Sequence, residues 1–207
     1  MSQPEQPQLY LITPPVVELS RFPDLLASVL DAHDTACLRL SLATHDADRI
    51  ARAADACRSV AHARDVAIVV DDHASLAERL GLDGVHLTDA GKSVRDARKM
   101  LGADAIVGSF CGTSRHDGMT AGEAGADYVA FGPVRGLGAD NSAPTDLFAW
   151  WSEMIEVPVV AEGGLTPDAV AMLAPITDFV ALGEEVWNTD EPAVTVRTLM
   201  HSARTLA

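Results

Sequence analysis

Val157-Pro-Val-Val-Ala-Glu-Gly-Gly-Leu-Thr-Pro167 contains the repeating unit of this chain in miniature. The run Pro158–Ala161 is apolar and β-branched and lacks polar alternation, as a strand covered on both faces requires. Gly163-Gly164 marks a turn. Thr166 followed by Pro167 is an N-cap with proline at the first helical position, which predicts a helix through Ala174. Seven more runs of this kind lie outward from it: Leu9–Thr13, Ala36–Ser41, Val66–Val70, Gly84–Leu87, Ala105–Gly108, Tyr128–Phe131 and Phe179–Leu182. Successive starts are 18 to 30 residues apart, room for one strand, one helix and two short loops. Thr44 or Asp46 can cap a helix over Asp48–Arg64, whose Ile50, Ala53, Ala54, Cys57, Val60 and Ala61 share one face, and Pro192 opens the last helix. Eight strand–helix repeats predict an α/β fold, a single (β/α)8 TIM barrel spanning 1–207, with residues 1–7 as a flexible N-terminal segment. A doubly wound open sheet is the competing architecture, but no G-x-G-x-x-G follows the first strand.

Composition narrows the partners. Fifteen Lys and Arg face 30 Asp and Glu, giving a formal net charge of −15 and a pI of about 4.6. That balance argues against nucleic acid and against an anionic membrane as partners. The apolar runs are far shorter than the ~20 residues needed to cross a bilayer. Met1-Ser-Gln-Pro-Glu-Gln-Pro-Gln8 is polar and does not read as a secretory signal, so a cytoplasmic location is expected. Cys37, Cys57 and Cys111 are odd in number and far apart, which argues against a disulfide framework and a cysteine zinc site. The sequence leaves homo-oligomerisation open.

In a barrel, chemistry sits at the carboxyl ends of the strands. Asp71, Asp72 and Asp89 offer oxygen ligands for Mg²⁺, which takes one or two carboxylates and completes its shell with water and substrate phosphate. The plainer alternative makes Asp71 or Asp72 the cap of a helix over Ala74–Leu80, and Asp89 a turn residue. Gly163-Gly164 can bring backbone N–H groups close to a phosphate. Arg39 is a cation within an apolar run, so it requires an acidic partner in the mouth or an anionic substrate. Ser109 opens a polar loop rich in donors. Cys111 reads as a free, partly buried thiol, and His86 as a hydrogen-bonded structural histidine.

Five ordered motifs then carry a resemblance: Tyr10-Leu-Ile-Thr13; Val69-Val-Asp-Asp72 with Leu76-Ala77; Leu82-Asp-Gly-Val-His-Leu87; Ala124-Gly-Ala-Asp-Tyr128 with Phe131-Gly-Pro133; and Val157–Ala161 with Gly163-Gly164. Together they resemble the thiamine-phosphate synthase family, which includes thiazole tautomerase relatives. The resemblance implies a transferase that joins an aminopyrimidine-methyl diphosphate to a hydroxyethylthiazole phosphate and releases pyrophosphate with Mg²⁺. It implies that Asp72 binds metal, supported by Asp71 and Asp89. Arg39 would meet the diphosphate, Gly163, Gly164 and Gly183 the thiazole phosphate, and Ser109 and Arg135 further substrate oxygens. The family's Gln-x-Arg-x-Lys appears as Cys37-Leu-Arg39-Leu-Ser41, its second metal aspartate falls at Gly91, and its serine after strand five falls at Phe110. Gly183-Glu-Glu185 places two carboxylates where a phosphate-facing serine is expected. Two alternatives remain: a metal-independent tautomerase with His116, His73 or Glu162 as base, and a barrel that binds a phosphorylated precursor without turnover.

Overall fold

A computed structural model describes residues 6–134 and 143–204. Its strands are β1 (Gln8–Ile12), β2 (Thr35–Leu40), β3 (Ala67–Asp71), β4 (Gly84–Leu87), β5 (Ile106–Phe110), β6 (Tyr128–Phe131), β7 (Val159–Glu162) and β8 (Phe179–Leu182). All pair in parallel in chain order, and β1 closes on β8. The helices are α1 (Phe22–Ala32), α2 (Ala47–His62), α3 (Ala74–Leu80), α4 (Val94–Leu101), α5 (Arg115–Ala124), α6 (Thr145–Met154), α7 (Pro167–Leu173), α8 (Glu184–Trp187) and α9 (Pro192–Ser202). Closure through the β1–β8 pair rules out the open sheet and gives the expected (β/α)8 barrel.

Alternation along each strand separates two packed regions. Leu9 and Leu11, Leu38 and Leu40, Ile68 and Val70, and Val180 and Leu182 face outward into a continuous core under the helices. Tyr10, Cys37, Val69, Tyr128, Ala130, Val160 and Ala181 fill the lumen, with Ile12, Ile106, Phe110 and Phe179 packed against them. The Tyr128 ring fits in the lumen because β5 makes room for it at Gly108. A Cβ added at Gly108 would lie 2.0 Å from the Tyr128 ring, so glycine is required there.

Local signals act as chemistry predicts. Asp46, not Thr44, caps α2: its Oδ1 accepts from the N–H groups of Asp48 and Arg49 at 3.0 and 3.1 Å. The face buried by α2 includes Ile50, Ala53, Ala54, Cys57 and Ala61. Thr166 Oγ1 caps α7 by accepting from Ala169 N. That helix gives way to a 3₁₀ turn at Ala174–Ile176, where Pro175 has no N–H to continue the α-helical ladder.

Three strands run past the carboxyl ends read from the sequence, while β1 and β2 stop one residue short at Ile12 and Leu40. β3 extends to Asp71, β7 to Glu162, and β5 to Phe110. The first two extensions place charged residues inside strands, which the pairing described below makes tolerable.

Candidate active site at the barrel mouth

Arg39, on β2, crosses the mouth and meets two carboxylates. Its Nη1 donates to Glu162 Oε2 at 2.7 Å. Its Nε lies 2.8 Å from Asp71 Oδ1, an ion contact off the hydrogen-bond axis. The side chains of Arg39, Glu162 and Asp71 are 9%, 12% and 21% exposed. Burial alone would lower the Arg39 pKa, but Glu162 and then Asp71 reverse this and raise it, so the guanidinium stays charged. Burial lifts the Asp71 carboxyl above its ordinary value, against the pull of Arg39. The sequence demanded a counter-ion for Arg39, and the fold supplies two.

Below this cluster the lumen floor is hydrogen-bonded. The Tyr10 and Tyr128 hydroxyls are 2.7 Å apart, and His86 Nδ1 lies 2.9 Å from the Tyr128 hydroxyl. The His86 ring stacks on Tyr128 and is fully buried. Burial, then Arg39, pushes the His86 pKa well below its ordinary value, so the imidazole is neutral. It is the hydrogen-bonded structural histidine that the strand spacing suggested. Cys111 is free and buried, and burial raises its thiol pKa to about 11, which does not favour a nucleophilic thiolate.

The three aspartates do not converge. Asp72 adopts φ 56°, a left-handed conformation that aspartate tolerates better than most residues. Its carboxylate points away from α3 and accepts from Thr88 N at 2.8 Å and Thr88 Oγ1 at 2.6 Å. The cap reading is therefore overturned: His73 precedes α3 and no side chain caps it. Asp89 accepts from the Ser93 hydroxyl and fits the turn reading. Among the described residues, no three His, Cys, Asp or Glu side chains form a metal cluster. The donor set still suits a hard cation of the kind that substrate oxygens complete, since Asp72 is exposed and each of its oxygens has a spare lone pair.

The phosphate candidates divide. Gly163 and Gly164 turn between β7 and α7 with φ 89° and 76°, and Gly183 precedes the short helix α8. In barrels, the loops after strands seven and eight and a short extra helix commonly form a phosphate site. Glu184 is exposed, whereas Glu185 turns inward. Burial raises its carboxyl pKa against the N–H groups of Glu185, Gly183 and Leu165 around it. Ser109 belongs to β5 and is fully buried, on the parity of outward-facing Val107, while Phe110 faces the lumen. Ser109 therefore lies inside β5 and not in the loop that follows it. Arg135 lies outside the described residues.

The other candidates for an anion or base role are dispersed. Arg115 stacks 4.7 Å over Trp150 and donates to Asp146 O. His73 Nδ1 is 2.6 Å from Asp71 O, and His116 is exposed. Sequence reading passed over a cleft of about 530 Å³ between the loops after β1 and β2, lined by Arg49 and Arg52 with Val16, Leu19, Ser20 and Thr44. Two arginines spaced i, i+3 at the start of α2 were the available signal.

Similarity to known proteins bears on the family and on the fold. The family model described as thiamine monophosphate synthase matches residues 9–186. A thiamine-phosphate synthase of Rhodospirillum centenum is 45% identical over 87% of this chain and 89% of its own. One from Erythrobacter litoralis is 41% identical over 93% and 94%. The solved thiamine phosphate pyrophosphorylase of Pyrococcus furiosus superposes with a TM-score of 0.82 at 20% identity, covering 96% of each chain, which speaks to the fold alone. From strand one into α8, the chain belongs to the thiamine monophosphate synthase family.

Proposed function

We propose that this barrel is a thiamine-phosphate synthase. It transfers the aminopyrimidine-methyl group from its diphosphate to the ring nitrogen of hydroxyethylthiazole phosphate and releases pyrophosphate. The observation that carries the reading is the 45% identity, across nearly nine-tenths of both chains, to a relative of that name. The C–O bond to the diphosphate breaks with its electron pair on the leaving group, and the lone pair of the thiazole nitrogen then forms the new C–N bond.

The tasks of its residues belong to this proposal. Asp72, supported by Asp89, would hold Mg²⁺, which offsets the negative charge of the departing diphosphate. Gly163, Gly164 and Gly183 offer backbone N–H groups to the thiazole phosphate. Asp71 is engaged by Arg39, so it supports the site through that cation. Arg39 orients the mouth and can face the diphosphate only on the side its carboxylates leave open. The two substrates are phosphorylated small molecules held side by side, so much of the acceleration comes from orientation.

The test is pyrophosphate release measured with both substrates, with each alone, and with and without Mg²⁺. Release is expected only with both substrates and Mg²⁺, and Asp72→Ala is expected to lower it by about 100-fold or more. Absence of thiamine phosphate under these conditions would overturn the proposal.

A further inference from the structure

Among the described residues, Arg39 meets one carboxylate more than a single guanidinium balances. One guanidinium faces two carboxylates, at 2.7 and 2.8 Å. A surplus charge at such low exposure is costly unless something else meets it. On the β6 side, Glu162 is flanked by Gly132, whose added Cβ would lie 3.1 Å from Glu162 Cγ. On the β8 side its register partner is Ala181. Both adjoining strand positions are thus small, and the Glu162 side chain keeps 12% exposure at the mouth. Among the described residues the cation paired with Glu162 is Arg39, and Arg115 is turned onto Trp150.

We infer that Glu162 is a specificity and transition-state residue for the aminopyrimidine, accepting a hydrogen bond from its exocyclic amine. The inference rests on the synthase reading. An aminopyrimidine carries N–H donors and becomes electron-poor when the diphosphate departs. As the C–O bond breaks, its electron pair leaves with the diphosphate and positive charge spreads over the ring and the amine. A carboxylate already fixed by Arg39 strengthens its interaction at that moment without reorganising. The thiazole nitrogen then supplies the electron pair for the C–N bond, and Glu162 exchanges no proton. Arg39 acts here as a positioning residue, holding one carboxylate oxygen and leaving the other for the ring.

The experiment compares kcat/KM for the aminopyrimidine-methyl diphosphate with that for an analogue bearing hydrogen in place of the amine. It uses wild type, Glu162→Gln and Glu162→Asp, each checked for a cooperative thermal transition. Intrinsic reactivity differences between the substrates cancel when the substrate ratio of a variant is divided by that of wild type. Losing a charged hydrogen-bond partner predicts that Glu162→Gln reduces the preference for the amine substrate about 10- to 100-fold. Glu162→Asp retains the charge at a shorter reach and is expected to fall between. It also keeps the test decisive if the glutamine variant does not fold. Equal loss on both substrates in the folded variants would overturn the inference, because an anchor for Arg39 alone cannot distinguish them. A wild type that turns over neither substrate would overturn the synthase reading and this inference with it.

Discussion

Arg39 has exchanged solvent for two carboxylates, and its energetics are those of a buried ion network, not a surface pair. Removing the cation strands Asp71 and Glu162 at low exposure, so Arg39→Met is expected to cost about 3–5 kcal/mol, measured by denaturant unfolding. The combined Arg39→Met, Asp71→Asn, Glu162→Gln variant should recover much of that loss, since no unpaired charge remains. The need for a counter-ion was legible in the sequence because a charge interrupts an apolar run. Its identity was not, because Glu162 lies 123 residues further along the chain and only strand closure brings the two together. Ser109 shows the limit of reading strand ends: β5 continues through Phe110, so Ser109 stays inside the strand on the outward parity of Val107 and Phe110 takes the lumen side. Asp72 illustrates another, since nothing in Val69-Val-Asp-Asp72 announces φ 56° or a bond across to Thr88.

At the scale of elements, the eight strands and several helix starts were legible. Apolar runs marked the strands within two residues, and Asp46, Thr166 and Pro192 marked helix starts because capping is local chemistry. Asp46→Ala is expected to destabilise the protein by about 1 kcal/mol through loss of the α2 cap, seen as a lower thermal midpoint with unchanged substrate affinity. Gly108→Ala tests the lumen instead. Its methyl group would overlap the Tyr128 ring, and a cost of about 1–3 kcal/mol is expected. This substitution should also disturb the hydrogen bonds of Tyr128 to Tyr10 and His86, which near-ultraviolet circular dichroism would report.

The whole molecule carries a net charge of −15 while its proposed substrates carry phosphates. Repulsion at long range slows encounter and is screened as the Debye length shortens to ~10 Å at 0.1 M salt. At fixed saturating Mg²⁺, KM for the diphosphate substrate is therefore expected to fall as NaCl rises toward ~0.1 M, a trend that steady-state kinetics would detect. Acid sensitivity is a second property of the whole fold. His86 has a folded pKa depressed by burial and by Arg39, so the unfolded chain binds a proton that the native state refuses. The corresponding stability is present above the unfolded value of about 6.5 and is lost as pH falls below it, at up to about 1.4 kcal/mol per pH unit. His86→Gln should flatten the dependence of unfolding free energy on pH between about 6.5 and 5.

The Arg39 bridge also constrains how this sequence can drift. Its three members sit on β2, β3 and β7, so a replacement at any one position changes the charge balance at the other two. Positions 39, 71 and 162 are thus expected to vary as a set among descendants of this chain, while the outward-facing leucines and valines of the same strands exchange one at a time.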